Sequence, residues 1–215
     1  MNKEVRKMLP KIISGTKKIA IICEGDEEFD YLQSLLKLHV WNENYDIRLI
    51  NALGNGNIPA RYQDIFQNGM YDMIFVFCDT DRKPYEQYED IKAKIDTFLG
   101  IDNAHKYIVI YGNPCTMQII ILHFDNIILA SHRKNKNAPT IEKYTGIKQY
   151  NAKKSKRAIL FSLINKENYT SMLERVSKLP NDDQIIGSSN FDILMNYLSD
   201  EDDSWINRIN QYLGL

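Results

Sequence analysis

IAIICEGDEEFDYLQSLL, residues 19–36, passes at Glu24-Gly25 from an unbroken apolar run to helical spacing, and that change decides the fold. Lys18 to Cys23 reads as a strand buried on both faces, because no polar residue alternates within its apolar stretch. Asp26 to Val40 reads as a helix, with Phe29, Leu32, Leu35, Leu36 and Val40 on one face. Its first turn holds Asp26, Glu27 and Glu28, where the positive end of the helix dipole favours acids. Further along the chain, Asp46 to Asn51 predicts a second strand, and Gly54-Asn55-Gly56-Asn57 punctuates. Ile58 to Gln67 predicts a helix with Pro59 in its first turn. Tyr71 to Cys78 is a third strand, Pro84 to Leu99 a helix, and Lys106 to Tyr111 a fourth strand. This alternation predicts an α/β fold of Rossmann-like type: a largely parallel four-stranded sheet with helices on both faces. Thr116 to Phe124 reads as a buried helix, and Asn126 to Ser131 as a short strand or its continuation. Residues 1–131 then form the core. Residues 132–215 add a basic segment and a helical extension packed on it, with helices over 155–165, 169–179, 191–198 and 202–213. The last carries an apolar stripe of Trp205, Ile206, Ile209, Tyr212 and Leu213, to be covered by the sheet domain or by a second subunit.

At 215 residues with 44% hydrophobic and 26% charged content, the chain can bury one sizeable core. Its charged opening, MNKEVRKMLPKII, predicts no export signal, and no apolar run approaches the roughly 18 residues of a membrane span. A cytoplasmic protein is expected. Cys23, Cys78 and Cys115 are odd in number and lack Cys-x-x-Cys spacing, which argues against a disulfide framework and a zinc site. From His132 to Arg157 there are nine Lys or Arg against one acid, Glu142, a net of +8 in a chain whose total is −1. Such a block can neutralise phosphates, with Tyr144 and Tyr150 stacking on bases, or it can be a solvated linker.

Ligands of parallel sheets sit at the carboxyl ends of the strands, near the point where strand order reverses. Glu24-Gly25 follows the first strand and Asp79-Thr80-Asp81 the third. Three carboxylates gathered there repel one another, and a hard divalent cation relieves the repulsion. Such an ion polarises a phosphoryl oxygen and acidifies water, which points to phosphoryl transfer or phosphodiester cleavage. Gly25 would let the backbone turn tightly beside the acids. Structural roles compete with each assignment. Asp79 and Asp81 can form an Asx turn, Glu27 and Glu28 serve the helix dipole, and Cys115 packs. His39 and His105 read as surface histidines, and His123, within IIILHFDNIIL, as a satisfied core imidazole.

The order and spacing of IAIICEGDEEFDYLQSLL and FVFCDTDRKP resemble the Toprim catalytic domain of topoisomerases, primases and OLD-type nucleases. GNPCTMQIIILHF, Gly112 to Phe124, resembles the Asn-Pro-Cys block of the RloB-like branch, which is associated with bacterial defence and restriction. The resemblance spans about residues 19–124. It implies a Toprim-like fold and a Mg²⁺- or Mn²⁺-dependent nuclease with an anti-phage role. Glu24 would be the general acid or base and a metal contact, with Asp79 and Asp81 the metal-binding pair. Asn113 and His123 match the branch's block. Arg82, Lys83, Lys153, Lys154, Lys156 and Arg157 would contact DNA or RNA. An ATPase or other defence-system partner and a homodimer are further partners it raises; a membrane is not. Where the branch carries Phe-Glu before its apolar helix and a Trp within it, this chain has Thr116-Met117 and Ile119. That departure favours one alternative, a catalytically silent module that binds nucleic acid or a partner; a second alternative, a small-molecule phosphohydrolase, stays open because Asp-x-Asp and acidic first loops also serve that chemistry.

Overall fold

The computed structural model describes residues 16–80, 87–131 and 134–215. Its centre is a four-stranded, all-parallel sheet: β1 (Lys17–Cys23), β2 (Tyr45–Asn51), β3 (Met73–Asp79) and β4 (Val109–Gly112), in the order β2-β1-β3-β4. The register is continuous across the centre, with Ile22 paired to Ile50 on one side and to Val76 on the other. Ten helices surround the sheet among the described residues: α1 (Asp26–Lys37), α2 (Ile58–Gln67), α3 (Gln87–Leu99), α4 (His105–Ile108), α5 (Met117–Ile121), α6 (Lys134–Thr145), α7 (Lys154–Ser162), α8 (Lys166–Val176), α9 (Phe191–Ser199) and α10 (Ser204–Tyr212). The chain moves from β1 outward to β2, then returns past β1 to β3. Right-handed crossovers therefore put α1 on one face and α2 and α3 on the other.

Every residue of β3 is buried, which is why its sequence shows no polar alternation. On one face, Phe77 meets Phe191 of α9 with ring centroids 5.3 Å apart, and Tyr31 of α1 meets Phe191 at 5.8 Å. Nearby, Trp205 of α10 stacks on Tyr197 at 4.7 Å and donates its indole N–H to the Tyr45 hydroxyl at 2.9 Å. The apolar stripe of the last helix is thus covered within the chain. Trp205, Ile206, Ile209 and Leu213 are buried, whereas Tyr212 is 61% exposed and stacks on Tyr107.

Residues after 131 share this core and also close the sheet. The outer edge of β4 would expose backbone groups, but Asn190 accepts from Tyr111 N–H (2.8 Å) and donates to Val109 C=O (2.9 Å). Ser189 adds a hydroxyl bond to Tyr111 C=O and a bridge to Gly112. Ser189 and Asn190 thereby take the place of a fifth strand.

Three expectations change. Residues 126–131 have no regular structure, and the Gln118 amide binds their backbone instead, donating to Ile127 C=O and accepting from Leu129 N–H. The fourth strand begins at Val109, because the single turn of α4 occupies the preceding residues. The basic segment is no linker: α6 runs through it despite Pro139, burying Asn137 and Ile141. No described helix is long and apolar enough to cross a membrane.

Candidate functional site

β1 and β3 are neighbours, and each delivers an acid to the carboxyl edge of the sheet. Glu24 follows β1, its N–H extending the ladder to Phe77 C=O at 3.0 Å. Asp79 ends β3, and its N–H donates to Glu24 Oε2 at 2.9 Å. The two residues thus meet where the chain leaves adjacent strands for opposite faces, the position at which parallel sheets open a crevice.

The Asp79 carboxylate is turned inward, with the residue only 1% exposed, and its Oδ1 accepts from Thr116 N–H at 2.5 Å. Thr116 reaches that position because the chain folds sharply back after β4. A Cβ on Gly112 would stand 2.9 Å from Cys115 O and 3.1 Å from Thr116 Cα, so glycine alone permits the approach. Thr80 follows Asp79 in sequence and Thr116 bonds it through its backbone; the hydroxyls of both threonines are buried and meet no partner among the described residues. The loop after β2 closes another side: Gly54 N–H donates to Glu24 C=O at 2.8 Å, and the Asn51 amide to Asp26 Oδ1 at 2.8 Å.

Of the three acids expected together, Glu24 and Asp79 are joined through the Asp79 backbone N–H, while the Asp79 carboxylate itself turns to Thr116. Asp81 lies outside the described residues, as do Arg82 and Lys83. Among the described residues no group of three or more His, Cys, Asp or Glu converges as a metal site. The edge is nonetheless rich in oxygen: two carboxylates and two buried hydroxyls, the donor type a hard cation takes.

The chain bends at Glu24-Gly25, but the bend needs no conformation peculiar to glycine. The Gly25 backbone is extended (φ −152°, ψ −161°), and a Cβ would meet Glu28 Oε2 at an ordinary 3.7 Å. The carboxylate of Glu28 accepts from Gly25 N–H at 3.1 Å and so caps α1. Glu27 does more than serve the dipole: it is buried and accepts from the Tyr150 hydroxyl at 2.5 Å. The carboxylate and burial together push the Tyr150 phenol far above its usual range, burial being the larger cause.

His123 is a core imidazole away from the acidic edge. Its Nε2 contacts the Tyr31 hydroxyl at 2.9 Å and its Nδ1 the Asn168 Oδ1 at 3.2 Å. The Asn168 oxygen can only accept, so the network assigns the proton to Nδ1, with Nε2 accepting from Tyr31. Burial lowers its pKa to about 4. Asn113 is likewise fully buried; its amide donates to Asp183 C=O at 2.8 Å and ties down the 183–188 loop.

The basic residues divide in two. Lys153 and Lys154 are exposed at the start of α7. Lys156 donates to the carbonyls of Lys148 and Gln149. Arg157 is buried and pairs with Asp30 at 2.8 Å and Asp26 at 3.0 Å, which fastens α7 to α1. Sequence reasoning missed Thr116, Asn190 and the bond from Tyr150 to Glu27, which rest on contacts across 37, about 80 and 123 residues of chain. The crowded Gly-Asn-Pro segment after β4 was the only local signal.

Compared with family models, curated proteins and solved structures, the chain has no match in any of the three.

Proposed function

We propose that the protein is a divalent-cation-dependent phosphodiester hydrolase acting on nucleic acid, with its site at the carboxyl edge between β1 and β3. The observation that carries this reading is the hydrogen bond from Asp79 N–H to Glu24 Oε2, which joins two acids from distant parts of the sequence at the fold's usual ligand position. The buried hydroxyls of Thr80 and Thr116 support an oxygen-coordinated ion, since burying a hydroxyl without a partner costs about 1–3 kcal/mol.

Glu24 and Asp79, with Asp81 following in sequence, would hold Mg²⁺ or Mn²⁺. When bound, the ion supplies polarisation of a phosphoryl oxygen and a more acidic water. Glu24, half-buried and held beside Asp79, moves the proton between water and the leaving oxygen. Asp79, fixed by the Thr116 amide, sets the position of the negative charge. The exposed lysines of α6 and α7 neutralise the nucleic-acid strand. A Toprim-type enzyme of the RloB-like branch, with a role in bacterial defence, fits this set of residues.

The test is cleavage of plasmid, single-stranded DNA and RNA with Mg²⁺ or Mn²⁺ and with EDTA. Asp79→Asn keeps an oxygen for the Thr116 amide, so it folds while losing the charge. It is expected to lower cleavage by at least about a hundredfold, the typical cost of removing one electrostatic element of a site. Undiminished cutting by that variant, or no cutting by the parent protein, overturns the assignment. A second reading draws on the depth of Asp79, which is 1% exposed and already bonded to a backbone amide. In it, the edge is structural and the protein binds nucleic acid without hydrolysing it, so strand binding survives in the absence of any cleavage.

A further inference from the structure

Next to the acidic edge lies a cavity of about 260 Å³ that the proposed hydrolysis does not use. Its walls come from four separate segments: the first turn of α1, the connection from β4 to α5, α6, and the loop at 150–152. Two of those segments also build the edge. Glu27 stands three residues after Glu24. Cys115 and Met117 line the cavity on either side of Thr116, whose N–H holds Asp79.

We infer that this cavity receives the heterocyclic base of the nucleotide whose phosphate lies at Glu24 and Asp79, an inference that rests on the phosphodiester reading above. Size is the first support: pockets for drug-sized ligands run to roughly 300–1,000 Å³, so this one suits a single ring system. Chemistry is the second. Met117, Ile141 and the Tyr150 ring supply apolar surface for the faces of a planar base. The amide of Asn135 can offer a donor and an acceptor to its edge, as asparagine does with bases in nucleic-acid grooves, and Asn137, whose amide N–H is held by Ser131 C=O at 2.7 Å, keeps its Oδ1 as an acceptor. The Glu27 carboxylate adds an acceptor for an amino or ring N–H.

Charge is the third and independent support. α6, which forms one wall, carries exposed Lys136 and Lys143 outside, and exposed Lys148, Lys153 and Lys154 follow it. A base inside with phosphates outside matches that division, whereas an apolar metabolite has no use for the cations.

The experiment is calorimetric titration with the four nucleoside 5′-monophosphates and with ribose 5-phosphate, which lacks a base. Single-stranded oligonucleotides with and without one abasic residue form the second arm. Asn135→Trp and Asn151→Trp, at exposed lining positions, serve as plugs that spare the core. Nucleotides are expected to bind at least about tenfold more tightly than ribose 5-phosphate, and each plug to erase that difference. A preference confined to the oligonucleotide arm identifies a base within a strand; one present in both arms identifies a free nucleotide as sufficient. No preference for the base in either arm, no binding in either arm, or plugs without effect overturns the inference. Asp79→Asn separates the two proposals, because it removes cleavage and leaves the base preference in place.

Discussion

A buried histidine between a tyrosine hydroxyl and an asparagine oxygen makes a pH-dependent contribution that can be signed. Burial holds His123 near a pKa of about 4, against 6.5 when unfolded, and the Arg175 charge adds a smaller push in the same direction. Between those values the unfolded chain binds the extra proton, so stability is fully present above pH 6.5 and falls as pH drops toward 4. The full shift corresponds to about 3 kcal/mol. Urea unfolding at pH 7.0 and 4.5, compared between the parent protein and His123→Gln, isolates this share from the carboxylates. Equal losses in both proteins would show that His123 titrates normally. At the same scale, Asp79 fixes two neighbours at once: its backbone N–H holds Glu24 while its carboxylate holds Thr116.

Two glycines beside the acidic edge look alike in sequence and differ in the element each serves. Gly25 begins α1 in an extended conformation with room for a methyl group, whereas Gly112 ends β4 against the backbone that returns with Thr116. Gly25→Ala is expected to leave the melting temperature within about 2 °C, since a tolerated surface change costs under about 0.5 kcal/mol. Gly112→Ala must push back a backbone segment, at about 1–3 kcal/mol, the range for overpacking a tight site. Thermal unfolding of both variants decides the matter, and a Gly112→Ala protein as stable as its parent contradicts the described closeness. The edge of β4 has a similar logic, because Asn190 provides the two hydrogen bonds that a neighbouring strand would.

For the whole molecule, the segregation of charge sets how it meets a polyanion. Lys153 and Lys154 stay in solvent, while Arg157 is taken up by Asp26 and Asp30. Each phosphate neutralised on single-stranded nucleic acid contributes about 0.7 to the slope of log affinity against log salt. Replacing Lys153 and Lys154 with glutamine is therefore expected to reduce that slope by roughly 1.4, measured by fluorescence anisotropy with a labelled oligonucleotide. Arg157→Gln should act differently, lowering stability by loosening α7 from α1 in addition to any change in binding. An unchanged slope in the double variant places the strand elsewhere on the surface.

The sequence by itself determined the alternation of the four strands and the three long helices between them, though not the single turn of α4, because a strand buried on both faces must be continuously apolar and a helix buried on one must repeat near 3.6 residues. It also determined that acids would follow the first and third strands, since that is fixed by position along the chain. It was silent on the roles of Thr116 and Asn190 and on the bond from Tyr150 to Glu27, and it left open whether the basic segment was a linker, because the partners that bury Asn137 and Ile141 of α6 are remote. Only the tertiary structure decided that Glu24 and Asp79 share one edge, that Arg157 ties down a helix, and that a cavity opens beside Thr116. Those outcomes depend on which distant segments the sheet brings within hydrogen-bonding reach, and local periodicity carries no information about that.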